Sequence, residues 1–180
     1  ATMTGHWVFA IKCVDLVLNS AKSPQDLIKG MSLKAWVIKN RGDMRSPWEY
    51  FKKICEVAKD PYPVNLHWNL LVFLGSLSLV FFLELTKIDI SVFYKAYRKI
   101  FPKVTIPIQI YSDGIVCSEY SGLFVGSFYI ALKLIITGKQ TNDRKALAIG
   151  YAYASYYFST FSFRRIVEIF STKAIQYALE

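Results

Sequence analysis

The stretch LHWNLLVFLGSLSLVFFL, residues 66–83, contains no Asp, Glu, Lys or Arg. A second uncharged stretch runs from Ala146 to Phe163, and the intervening segment from Ile115 to Ile136 carries only Glu119 and Lys133. A helix rises about 1.5 Å per residue, so about 20 apolar residues cross the hydrocarbon core of a bilayer. The sequence therefore predicts an all-α membrane protein with about three transmembrane helices. Their expected bounds are residues 64–85, 115–136 and 146–163.

The composition supports a membrane environment. Hydrophobic residues make up 53% of the 180-residue chain, and its formal net charge is +9. The basic residues are spread over every segment outside the apolar stretches, which favours contact with anionic lipid headgroups. Nucleic acid is the competing partner, but no single basic stripe and no recognition motif accompanies the charge. The three cysteines form no CxxC pair, which argues against a disulfide framework or a zinc site.

Residues 1–63 read as an N-terminal segment of short amphipathic helices, followed by a membrane region over residues 64–180. Apolar residues recur at helical spacing between Trp7 and Leu18. Ser23 precedes a proline and an acidic first turn, which predicts a helix start. A further start is expected at Ser46, where Glu49 completes the pattern of a capping box.

Residues 89–101 predict an amphipathic helix in the plane of the membrane interface, because aromatic and aliphatic residues occupy one face and basic residues the other. Its basic residues are candidates for binding lipid headgroups, with a phospholipid such as cardiolipin as the bound lipid. These candidates are Lys95, Arg98 and Lys99.

Small residues mark the faces through which the predicted membrane helices would pack. Ser118, Gly122 and Gly126 lie at four-residue spacing, and Gly150 and Ala154 repeat the pattern in the third span. Small residues at this spacing let helix backbones approach closely where lipid removes the hydrophobic drive.

The sequence offers little material for catalysis, and we expect the protein not to be an enzyme. His6 and His67 are its two histidines, too few for a non-haem iron or catalytic zinc site within one chain. His67 is a secondary candidate for a haem ligand, and Glu119 for a quinone, proton or cation site, since an ionisable group inside a membrane helix is costly. The favoured interpretation of both is structural: a histidine at the interface, and a carboxylate paired with another subunit or reaching the interface.

These patterns predict a non-catalytic accessory subunit of a large membrane complex. A basic, aromatic-rich chain without a disulfide pattern fits the mitochondrial inner membrane, where the respiratory chain and ATP synthase recruit small accessory subunits. The alternatives are a small oligomeric channel or carrier that uses Glu119, and a membrane anchor that carries haem or quinone. A soluble all-α domain would require all three apolar stretches to be core helices.

Overall fold

The computed structural model describes residues 3–43, 45–60, 62–63, 65–100 and 106–179. The described residues form nine helices and no strand, so the predicted all-α class is confirmed. In chain order the helices are α1 (Met3–Asn19), α2 (Pro24–Asn40), α3 (Ser46–Val57), α4 (Leu66–Thr86), α5 (Ser91–Ile100), α6 (Ile108–Tyr120), α7 (Phe124–Thr141), α8 (Arg144–Thr160) and α9 (Arg164–Leu179).

The chain divides into two compact units, of which the first is discontinuous in sequence. Unit 1 comprises residues 1–62 and 103–122, and unit 2 comprises residues 63–102 and 123–180. The predicted division near residue 63 lies at one boundary between the units, and α6 joins the N-terminal helices in unit 1.

Unit 1 is built around α3, which packs against α2 and α6. Trp48 and Phe51 stack with ring centroids 5.3 Å apart, and Tyr62 and Tyr111 meet the Phe51 ring edge-on. Gly114 makes this packing possible, because a Cβ there would lie 2.6 Å from the Phe51 ring. The glycine of α6 is therefore needed for the close approach of α3 and α6.

Unit 2 is built around α7, which contacts α4, α5 and α8, while α9 packs on α8. Phe128 lies at its centre, stacked on Tyr157 at 5.1 Å and edge-on to Phe158 at 5.0 Å. The sequence of α7 is largely apolar, as expected of a helix that its neighbours bury on most sides. It is thus the core helix of this unit.

One predicted helix start is confirmed and another is wrong in its detail. Ser23 caps α2, its Oγ accepting the Asp26 N–H at 3.1 Å. Helix α3 begins at the expected place, but Ser46 lies inside it and makes no capping box. Asp43 instead accepts the backbone N–H groups of Arg45 and Ser46 at 2.9 and 3.0 Å. A hydrogen bond from the Ser46 hydroxyl, followed by these backbone bonds, lowers the pKa of the Asp43 carboxyl. Asp43, upstream of α3, therefore accepts hydrogen bonds at the helix start where the sequence predicts Ser46 as the cap.

The single helix predicted over residues 115–136 is wrong, because the structure breaks it into α6 and α7. Gly122 adopts φ +74°, a left-handed conformation that glycine reaches at no steric cost. Its N–H donates to the Glu119 carbonyl at 2.9 Å and closes the last turn of α6. The apolar run thus continues through a turn, and the boundary between the two units falls at this turn.

The other predicted helices are present with shifted ends. The segments 64–85, 89–101 and 146–163 correspond to α4, α5 and α8. The residues after the third predicted span form a further helix, α9. A turn with Ser162 at φ +60° directs α9 back onto α8, where the Ser155 and Ser171 hydroxyls lie 2.7 Å apart.

Candidate functional site

Helix α4 presents an apolar surface that the described residues of its own unit leave largely uncovered. Its segment His67–Thr86 is, within the described residues, the one helix long and apolar enough to cross a membrane, and only 11% of its most apolar window is buried. Val80 and Leu83 face inward, with at most 1% of each residue exposed. The large residues on the uncovered side are Trp68, Leu70, Leu71, Leu74, Leu79, Phe82 and Leu85.

This exposure separates α4 from α7. Both sequences are rich in aliphatic residues and Phe, but α7 is buried by its neighbours and α4 is not. Contiguous apolar surface of this kind is rare on a monomeric soluble protein and marks a membrane or protein contact. We call the uncovered side of α4, from Trp68 to Leu85, the α4 surface.

A charged cluster lies at the C-terminal end of α4, on its inward side. Glu84 pairs with Lys139 of α7 at 2.9 Å and with Lys173 of α9. The Tyr151 hydroxyl of α8 donates to the same carboxylate. The Glu84 side chain is 12% exposed, so its charge is largely withdrawn from solvent. One carboxylate therefore joins four helices of unit 2.

Aromatic rings surround the cluster. Lys173 Nζ lies 5.5 Å from the centre of the Tyr151 ring, and the Tyr177 ring stacks on Tyr151 at 5.8 Å. Removing one partner from a buried ion pair leaves an uncompensated charge, which is strongly destabilising even where the intact pair adds little. The Glu84 cluster (Glu84, Lys139, Tyr151 and Lys173) thus makes the packing of four helices depend on one side chain.

No local sequence pattern marks Glu84 as the centre of a cluster. Its partners lie far away along the chain, on three helices whose relative placement no local pattern reveals. The available signal was a carboxylate that ends an uncharged run of apolar residues. That signal predicts a need for partners, without identifying them.

The two secondary ligand candidates lie in different units. His67 is exposed in the first turn of α4, where its backbone N–H donates to the Asn65 side chain at 3.3 Å. Glu119 is half-buried in the last turn of α6 and belongs to unit 1. In the described part of the chain, no group of three or more His, Cys, Asp and Glu side chains is placed to hold a metal ion.

The small residues predicted for helix packing fall on three helices and one turn, so Ser118, Gly122 and Gly126 do not share one helix face. Ser118 is buried in α6, Gly122 forms the turn, and Gly126 is buried in α7. Gly150 of α8 lies against α7, where an added Cβ would meet the Ile135 backbone nitrogen at 2.9 Å. Ala154, one turn later, is fully buried.

The proposed headgroup residues lie on α5. Lys95 is exposed there, whereas the side chains of Arg98 and Lys99 lie outside what the structure describes. No protein-family model, no curated protein and no solved structure matches this chain. What is inferred about function therefore rests on the geometry described above.

Proposed function

We propose that the chain is a membrane protein held in the bilayer by α4. The observation that carries this proposal is the α4 surface. At about 1.5 Å per residue, the 20 residues of His67–Thr86 extend about 30 Å, the thickness of a hydrocarbon core. Trp68 stands at one end, where an indole ring favours the headgroup level. Glu84 lies near the other end and pairs with two lysines, so its charge is compensated within the protein.

Within the membrane, the protein acts as a non-catalytic accessory subunit of a larger complex. A second uncovered apolar surface supports this, since Phe9 and Leu16 lie seven residues apart on α1 and are 70% and 69% exposed. That surface belongs to unit 1 and is not part of the α4 surface, so a second partner of apolar character is needed to cover it. The narrower proposal places the complex in the mitochondrial inner membrane, within the respiratory chain or ATP synthase, on the strength of the basic, aromatic-rich composition.

The membrane proposal is tested by placing a charge in the middle of α4. Arginine at the centre of a spanning helix costs about 3 kcal/mol on insertion scales. We expect Leu74→Arg, at a residue 47% exposed on the α4 surface, to shift the protein from the alkali-resistant membrane fraction to the soluble or degraded fraction. Leu16→Arg on α1 is the matched control and is expected to stay in the membrane. Equal retention of both variants would contradict the proposal.

The complex proposal is tested by extraction in a gentle detergent, native electrophoresis and mass spectrometry of the co-migrating proteins. We expect the wild-type chain to migrate with other subunits, and Phe9→Ser with Leu16→Ser to release it while leaving it in the membrane. Co-migration with respiratory or ATP synthase subunits would support the narrower proposal. A homo-oligomer without partners would contradict the accessory role and direct attention to transport through Glu119.

A further inference from the structure

Unit 1 contains a cavity of about 400 Å³ between α2, α3 and α6. Its walls are overwhelmingly apolar, with Phe51 and Ile54 from α3 and Ile110 from α6 among the lining residues. Leu33 and Trp36 line it from α2 and are 49% and 52% exposed, which places them at its open side. The volume lies in the range of about 300–1,000 Å³ that is usual for small-molecule sites.

The polar groups of the cavity are few and are positively biased. Lys39 and Asp113 form an ion pair on its wall, so their charges cancel. Lys29 also lines the cavity and is exposed, and no carboxylate in the described part of the chain pairs with it. Burial raises the pKa of the lining Cys117 thiol to about 11, so this group is neutral at physiological pH. Lys29 thus places a positive charge beside an apolar cavity, with no carboxylate partner among the described residues.

We propose that this cavity binds a single-chain amphiphile with an anionic headgroup, of which a fatty-acid carboxylate is the simplest. The apolar walls suit an alkyl chain, and they offer too few donors and acceptors for a sugar or a nucleotide. Lys29 and Lys39 lie about 15 Å apart along α2. The carboxylate therefore lies at the Lys29 end, and the chain runs along α2 towards the neutralised Lys39–Asp113 pair. This site is in unit 1 and is independent of the α4 surface.

The proposal is tested on the full chain in phosphatidylcholine nanodiscs, because detergent would compete for the cavity. The probe is dodecanoate carrying a diazirine at its chain end, with dodecanol carrying the same group as the uncharged analogue. After illumination, peptide mass spectrometry locates the labelled residues. Labelling of α4 reports probe dissolved in the bilayer, whereas labelling of α2, α3 and α6 reports the cavity.

Two variants distinguish the contribution of the alkyl chain to binding from that of the headgroup charge. Ala35→Phe fills the cavity from α2, and we expect it to abolish cavity labelling by both probes while labelling of α4 continues. Lys29→Gln should weaken dodecanoate labelling of the cavity by up to about fivefold, as for a surface ion pair, and leave dodecanol unchanged. Lys22→Gln removes an exposed charge outside the cavity lining and is the matched control.

Labelling confined to α4, or cavity labelling unaffected by Ala35→Phe, would overturn the proposal. Equal weakening of both probes by Lys29→Gln would overturn the anionic headgroup. Circular dichroism of each variant shows whether the helices are retained. If Ala35→Phe fails to fold, Ala35→Leu and competition by unlabelled dodecanoate give the same distinction.

Discussion

At the scale of single residues, we expect substitution of Glu84 to have the largest effect on the free energy of unfolding. Glu84→Gln leaves Lys139 and Lys173 without their common counter-charge in a poorly solvated place. We expect a loss of about 3 kcal/mol in the free energy of unfolding, because removing one partner of a buried ion pair leaves the other charge buried without compensation. Unfolding followed by circular dichroism in one fixed detergent measures it.

A matched control is available on α9. Glu168 pairs with Arg164 one turn away, and its side chain is 63% exposed. We expect Glu168→Gln to change the free energy of unfolding by less than about 0.5 kcal/mol. Similar losses in the two variants would mean that the Glu84 cluster contributes no more to stability than a surface ion pair.

Two helical glycines offer a second comparison at this scale. A Cβ at Gly150 would meet the backbone of α7, whereas nothing lies within 4 Å of a Cβ added at Gly75. We expect Gly150→Ala to destabilise the protein by about 1–3 kcal/mol through overpacking. Gly75→Ala should be neutral or stabilising by up to about 1 kcal/mol, since glycine weakens a helix interior. Thermal unfolding of both variants checks the difference, and a stable Gly150→Ala would contradict the close approach of α7 and α8.

At the scale of elements, the turn between α6 and α7 depends on Gly122. Its left-handed φ is costly for alanine and less so for asparagine, whose short polar side chain tolerates this region. We expect Gly122→Ala to cost about 1–2 kcal/mol and Gly122→Asn to cost less. A Gly122→Ala protein that is as stable as wild type would mean that residues 115–136 can form the continuous helix.

Local patterns predicted helices well and their burial poorly. The Ser23 cap, the amphipathic α1 to α3 and the presence of α4 follow from spacing, capping residues and prolines, which act within a few residues. A long apolar run, by contrast, has the same composition in a core helix and in a spanning helix. The apolar run over residues 115–136 therefore predicts a single span, although α7 is buried by its neighbours and Gly122 interrupts the run. The Glu84 cluster was missed for a related reason, since its members meet only after α4, α7, α8 and α9 have packed.

At the scale of the whole molecule, the cysteines report on one unit. Cys13, Cys55 and Cys117 all belong to unit 1, the first half-buried and the other two buried. We expect a maleimide at pH 7 to label Cys13 in the native protein, and Cys55 and Cys117 only when unit 1 opens. Peptide mass spectrometry after a brief labelling pulse identifies the modified thiols. Rapid native labelling of Cys117 would contradict the packing of α3 on α6.

The raised pKa of Cys117 also gives unit 1 a dependence on alkaline pH. The folded state holds this proton more tightly than the unfolded state, whose thiol titrates near 9.0. Its contribution to stability is therefore complete below pH 9 and is lost as the pH rises towards about 11. We expect the midpoint of denaturant-induced Cys55 labelling to fall over this interval in wild type and to fall less in Cys117→Ala.

The interrupted sequence of unit 1 has a consequence for biosynthesis. Chains leave the ribosome from the N-terminus, and domains fold as they become complete. Phe51 emerges early, but Gly114, against which its ring packs, follows only after α4 and α5 have been translated. Because α6 follows α4 along the chain, it leaves the ribosome later, so a nascent chain still exposes the aromatic side of α3 when α4 emerges. The apolar helix becomes available to insertion machinery or to a chaperone before the helices that precede it can close their core.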